Sequence, residues 1–279
     1  MSGNEPYPLT LEPIPAEQVQ DRSGRPWPMG EVPESSLGTL WLATDISRVA
    51  AGPQAGRSLG YLRHLWGADL MGQNLGGQPE APLPVELKLK NTGESAQALS
   101  LSEYSLWYIL AAADEASLKA GRPEVEFEAE AGRCLWLPPG APLWLGAGLS
   151  LAQVGPPARQ FFIPPGSSAE PQSQSGPAPA DPRPPAWLVP APAGPEEAVL
   201  FQDQLLSVRL ITTAHRSDLT ASEALTFLWP LSGQGRVLTR GPAPTTRLTP
   251  GRVVLLPAAL GRYAVDSGGA VSYLIIESR

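Results

Sequence analysis

Proton transfer and metal binding need side chains that titrate or coordinate, and this chain gathers few of them in one place. Its only histidines are His64 and His215. His64 stands among Tyr61, Leu62 and Leu65 at helical spacing and reads as a half-exposed helical residue. His215 follows an apolar strand, in Thr212-Thr213-Ala214-His215-Arg216, and reads as a turn or strand-edge residue. The two fall in different halves of the chain and do not easily meet. A metal site would therefore use carboxylates, and Glu86 with Glu103 is the only nearby pair. Strand alternation can place either on an outer face. The single cysteine, Cys134, lies inside an apolar strand and reads as a buried small hydrophobe, with no disulfide possible within one chain. No Gly-x-Gly-x-x-Gly or phosphate-binding Gly-Lys-Ser/Thr motif occurs, and no serine and histidine lie near a plausible triad partner. Among eight tryptophans, Trp107, Trp136 and Trp144 invite a sugar-stacking role. Trp107 and Trp136 lie in apolar strands and read as core, whereas Trp144 could plug a pocket or floor one.

The elements that must position these residues come in two copies. Ala131-Gly132-Arg133-Cys134-Leu135-Trp136-Leu137-Pro138 reappears as Pro250-Gly251-Arg252-Val253-Val254-Leu255-Leu256-Pro257: a tight turn, a buried strand and a stop. Ahead of the first copy lies Leu106-Trp107-Tyr108-Ile109-Leu110, and ahead of the second Phe227-Leu228-Trp229-Pro230-Leu231. Two ordered elements recurring together argue for two copies of one β-rich module. Further strands are expected at 39–43, 85–90, 98–102, 106–111, 125–129, 133–137 and 149–153, then at 205–212, 224–231, 235–239, 252–256, 262–265 and 271–276. Ser58 to Met71 is the best helix candidate, with Leu59, Leu62, Leu65 and Trp66 at helical spacing. Short strands separated by Gly/Pro turns favour a mainly β fold of two tandem jelly-roll barrels, with a small helical element in the N-terminal half. Residues 164–197 lack apolar periodicity and read as a Pro-rich linker. The expected domains are thus 1–163, the linker, and 198–279.

Composition bounds the rest. A chain of 279 residues with 42% hydrophobic residues can build two cores, and 33 prolines with 28 glycines imply many turns. A net charge of −7 gives no basic footprint and argues against nucleic acid as a partner. The start, Met1-Ser2-Gly3-Asn4-Glu5-Pro6, lacks the features of a signal peptide, and no apolar run reaches membrane-span length. A cytoplasmic protein with no membrane association is expected.

Several phrases, in order, resemble the type I phosphomannose isomerases, zinc enzymes of the cupin superfamily. They are Tyr7-Pro8-Leu9-Thr10-Leu11-Glu12-Pro13, Leu65-Trp66-Gly67 with Leu70-Met71-Gly72, Pro84-Val85-Glu86-Leu87-Lys88-Leu89, Trp107-Tyr108-Ile109-Leu110, Gly132 to Gly140, and Gly251 to Leu260. The resemblance implies two cupin-like barrels and a zinc-assisted proton transfer between C1 and C2 of a sugar phosphate. Lys88 is similar to the family's active-site lysine and is the catalytic candidate; Glu86, Glu103, Ser105, Leu143 and Trp144 fall around the pocket. The family's ligand positions do not carry ligands here. Its Gln-x-His falls on Ala98-Leu99-Ser100-Leu101-Ser102, its Lys-x-Glu on Glu103-Tyr104-Ser105, its last histidine near Leu143, and its arginine near Arg159 only with a shift. The expectation is a degenerate member without zinc or other cofactor, leaning inactive, that acts as a sugar-phosphate-binding or structural protein. Two alternatives are an isomerase with an unrecognised metal site and a protein-interaction module using apolar surface at Trp144 and Phe161-Phe162.

Overall fold

Turns that need a left-handed backbone fix where the repeated strands begin. Gly132 and Gly251, the glycines of the two Gly-Arg phrases, have φ of 89° and 80°, a conformation that costs glycine nothing and other residues a clash with their own Cβ. Each turn delivers a fully buried strand, Cys134–Leu137 in one copy and Val254–Leu256 in the other. The computed structural model describes residues 6–15, 38–73, 83–92, 96–121, 124–157, 160–162, 184–188, 191–194, 196–221, 223–240 and 245–278. Arg159 and most of the expected linker lie outside the described residues.

The chain forms two units. The central unit comprises Ile14–Trp41 and Val85–Leu188; the C-terminal unit comprises Met1–Pro13, Leu42–Pro84 and Val189–Arg279. The central unit has a seven-stranded sheet in the order Ala186–Leu188, Cys134–Leu137, Ser105–Ala112, Leu149–Gly155, Glu86–Asn91, Gly38–Ala43 and Ile14–Pro15. Its five-stranded sheet runs Gln160–Phe162, Gln97–Leu101, Pro142–Leu145, Ser117–Ala120 and Val125–Glu128. The inner faces meet in a core that includes Leu99, Leu101, Trp107, Leu135, Leu143 and Leu151.

The C-terminal unit repeats the plan. Its seven-stranded sheet runs Leu9–Thr10, Val254–Leu256, Leu225–Ser232, Val271–Ser278, Leu206–Thr213, Glu197–Gln202 and Ala191–Gly194, and its four-stranded sheet runs Ser217–Thr220, Arg262–Ser267, Gly235–Thr239 and Thr246–Leu248. Leu228, Val237, Val254, Val265, Tyr273 and Ile275 lie in its core. Every strand pairing among the described residues is antiparallel, as the short strands and tight turns require. No helix among the described residues is long and apolar enough to cross a membrane.

Three boundaries differ from the sequence expectation. The 58–71 segment is two helices, Leu59–Trp66 and Ala68–Met71, because Gly67 at φ 47° interrupts it. Ser58 caps the first helix, its hydroxyl accepting from the Tyr61 N–H at 3.2 Å, and Arg63 holds Asp45 at 2.7 Å. These helices cluster with the C-terminal unit rather than with the first module. The end of the expected linker is also structured. Ala186–Leu188 pairs with Cys134–Leu137, and Ala191–Gly194 pairs with Glu197–Gln202. Trp187 is the physical reason for the first pairing: its ring meets Phe127 edge-on at 5.5 Å and lies under the Arg133 guanidinium at 5.4 Å.

Candidate functional site

Strand alternation turns Glu86, Lys88 and Lys90 to one face of their strand, while Leu87 and Leu89 face the other way. Register then extends this row across the sheet. Lys88 lies opposite Gln153, which in turn lies opposite Trp107. Trp107 and Leu151 belong to the central core, so the row points inward. Lys88 and Lys90 are each only 1% exposed, and Gln153 is buried with them. The Lys88 ammonium sits 3.2 Å from Glu86 Oε2 and 3.8 Å from the centre of the Trp41 ring. Lys90 lies 5.8 Å from the centre of the Trp107 ring. The Trp107 indole N–H donates to the Ser105 hydroxyl at 2.7 Å.

Burial governs the electrostatics of this strip. Removing an ammonium from water favours its neutral form. Burial pushes Lys88 below the ordinary lysine value, and the adjacent Glu86 carboxylate opposes that shift. Burial, with the positive charge of Lys88, holds Lys90 at about 7. The cation over Trp41 and the pair with Glu86 offset part of the cost of burying Lys88.

The structure brings together Lys88, Glu86 and Ser105 among the residues singled out from the sequence. Glu103 is exposed on the bend before Ser105 and does not enter the strip. Leu143 is buried between Leu99 and Ala120, where it packs the core. Trp144, the next residue, takes the opposite face of its strand and is half-buried. Lys90, Gln153 and Trp41 join the site without having been singled out. Lys90 was available as the second residue beyond Lys88 on one strand face; Gln153 and Trp41 follow only from strand pairing and packing.

The C-terminal unit has a partly buried cation at the corresponding place. Aligning the two Gly-Arg phrases sets Leu135 against Val254. Leu135 pairs with Trp107, which pairs with Gln153, which pairs with Lys88; Val254 pairs with Leu228, which pairs with Ile275, which pairs with Arg209. Arg209 therefore occupies the position of Lys88. Its guanidinium bridges Glu197 at 2.7 Å and Glu277 at 3.0 Å. Both units thus hold an inward cation on carboxylate partners.

The zinc that the family resemblance implies does not fit these residues. Zinc requires three or four converging ligands, and among the described residues no group of three or more His, Cys, Asp or Glu could hold a metal ion. The interior strip offers Glu86, already engaged by Lys88, and a single amide, Gln153, set among two amines and the Trp41 and Trp107 rings. His64 is exposed on its helix with Nδ1 2.8 Å from the Gly60 carbonyl oxygen, and His215 is an exposed turn residue.

No protein-family model and no curated protein matches this sequence. Solved structures do resemble it. The mannose 6-phosphate isomerase of Bacillus subtilis superposes with a TM-score of 0.71 at 16% identity, over 96% of this chain and 99% of that one. A putative mannosephosphate isomerase from Archaeoglobus fulgidus gives 0.68 at 12% identity over the full length of both chains. Vicilin from hazelnut, Corylus avellana, gives 0.51 at 14% identity over 70% of this chain and 75% of that one. The chain has a cupin-like fold. At these identities the likeness establishes architecture, and the chemistry of this chain has to be argued from its own side chains.

Proposed function

We propose that this chain is a mannose-6-phosphate-isomerase-like protein without zinc-dependent isomerase activity, serving as a sugar- or sugar-phosphate-binding or structural protein. The observation that carries this reading is the content of the central unit's interior strip. Where a metalloenzyme needs several neutral or anionic donors converging on a dication, this strip presents two amines, Lys88 and Lys90, and commits its carboxylate to Lys88. Positive charge beside Zn²⁺ opposes its binding rather than supporting it. The equivalence of Lys88 with Arg209 supports a structural role for Lys88, since both are cations on the inward row held by carboxylates within their own unit.

The test is a coupled assay of mannose 6-phosphate and fructose 6-phosphate interconversion on the full-length chain, with zinc added and again after chelation. Turnover at the no-protein background under both conditions is expected. Zinc-dependent turnover that chelation removes would overturn this reading.

A further inference from the structure

We propose that the outer face of the four-stranded sheet in the C-terminal unit binds a small phosphate-bearing molecule. The sheet's register assembles the site. Asp218, Ala264 and Leu238 form one outward row across three strands, and Thr220 lies opposite Arg262 in the next. Arg240 directly follows Thr239, whose partner is Tyr263, so Arg240 and Arg262 come together at the end of the same ladder. Arg216 flanks the other side. These residues line a concavity of about 450 Å³, within the size range of small-ligand sites.

The charge of this patch runs against that of the molecule. The chain carries a net −7, yet three arginines line one depression with Asp218 as the one carboxylate among the described lining residues. Arg216 bonds Asp218 through Nε and Nη2 at 3.2 and 3.1 Å, which leaves Arg240 and Arg262 as the local excess. Like charges brought side by side on a sheet face cost stability, and an anion between them removes that cost. Guanidinium forks match the oxygens of a phosphate in pairs, and two of them suit a phosphomonoester dianion better than a single carboxylate. The Arg216–Asp218 pair is exposed and weakly held at the other end of the ladder, which leaves Arg240 and Arg262 to take the phosphate.

Shape points the same way. Ala264 is the third residue of its strand; in the central unit the third residue of the corresponding strand, Pro142–Leu145, is Trp144. Ala264 is nearly covered, at 3% exposed, and half-buried Leu238 gives the depression its apolar floor. A sugar or base attached to the phosphate would rest on that floor. This site is independent of the central unit's strip and uses none of its residues.

The experiment is thermal melting and isothermal titration of the full chain with inorganic phosphate and with pyrophosphate, at constant ionic strength set by chloride. Saturable binding with a rise in melting temperature is expected. The double variant Arg240→Ala/Arg262→Ala should weaken it tenfold or more, while Arg252→Ala, exposed elsewhere in the unit, leaves it unchanged. All three are exposed positions, and the circular-dichroism spectrum and ligand-free melting temperature of each variant should match the parent. A response equal to that of chloride, or binding that survives the double variant, overturns the proposal. So does capture of a poly-glutamate peptide with no response to either phosphate, which would make this a surface for acidic protein segments.

Discussion

Lys90 is the side chain whose charge state the fold controls most visibly. An unfolded chain gives its amine an ordinary value near 10.4, whereas the folded chain holds it at about 7. Because the folded value is the lower one, the unfolded chain binds the additional proton above about pH 7, and stability must rise with pH from there. Lys88, also pushed down by burial, acts in the same sense. Cys134, pushed up to about 12 by burial, and the buried Tyr263 and Tyr273, also pushed up, act in the opposite sense at more alkaline pH. The clean window is therefore about pH 7 to 8, before the ordinary thiol and phenol titrations take hold. Urea unfolding midpoints should climb through it, with a limiting slope for Lys90 of about 1.4 kcal/mol per pH unit. Lys90→Met should flatten the climb. A parent profile already flat over this range would show that Lys90 keeps its charge inside the barrel.

Elements depend on close approaches that particular residues permit. Gly72, which ends the second short helix, bridges to Ala224 with φ of 88°. A Cβ added there would stand 2.5 Å from the Glu223 carbonyl oxygen. Gly72→Ala should therefore destabilise the C-terminal unit by about 1–3 kcal/mol, through backbone strain and the clash together. A melting temperature within about a degree of the parent, where a 1 kcal/mol loss shifts a domain of this size by several degrees, would contradict that contact. The longer strands were legible in the sequence because apolar runs such as Leu106–Leu110 and Val271–Ile276 fall between turn residues. The Gly-Arg repeat located the paired buried strands for the same reason. Ser117–Ala120, Ser217–Thr220 and Thr246–Leu248 escaped notice because three or four polar-alternating residues carry almost no periodic signal. Pro142–Leu145 begins on proline, which argues against a strand until its edge-like start is seen. At the site, Glu86 and Lys88 were readable as neighbours on one face. Gln153 and Trp41 were not, because cross-strand register depends on how distant segments pair.

At the scale of the whole molecule, the repeat extends from turns and strands to inward-row charge. Lys88 and Arg209 occupy equivalent positions, yet their acids come from different places: Glu86 from the cation's own strand, Glu197 and Glu277 from the strands on either side of Arg209. Such divergence around a fixed position fits a cation retained to organise a core. Glu277 is buried, so removing its partner leaves a carboxylate without water or counter-charge. Arg209→Ala should cost about 3–5 kcal/mol, and Lys88→Ala a comparable amount in its own unit. Calorimetry of each variant would check this, and losses below about 1 kcal/mol, the range of an exposed pair, would remove the structural role. The fold resembles that of mannose 6-phosphate isomerase, and the interior of the central unit holds paired charge, a buried amide and packed apolar side chains.

Zinc content tests that account most directly. The full-length protein, purified untagged without chelator and dialysed against dilute zinc, is measured by inductively coupled plasma mass spectrometry. The buried amines and the missing donor set predict far less than one zinc per chain. A ratio near one, surviving dialysis into metal-free buffer, would mean that the chain assembles a ligand set its described interior does not provide, and would contradict the account.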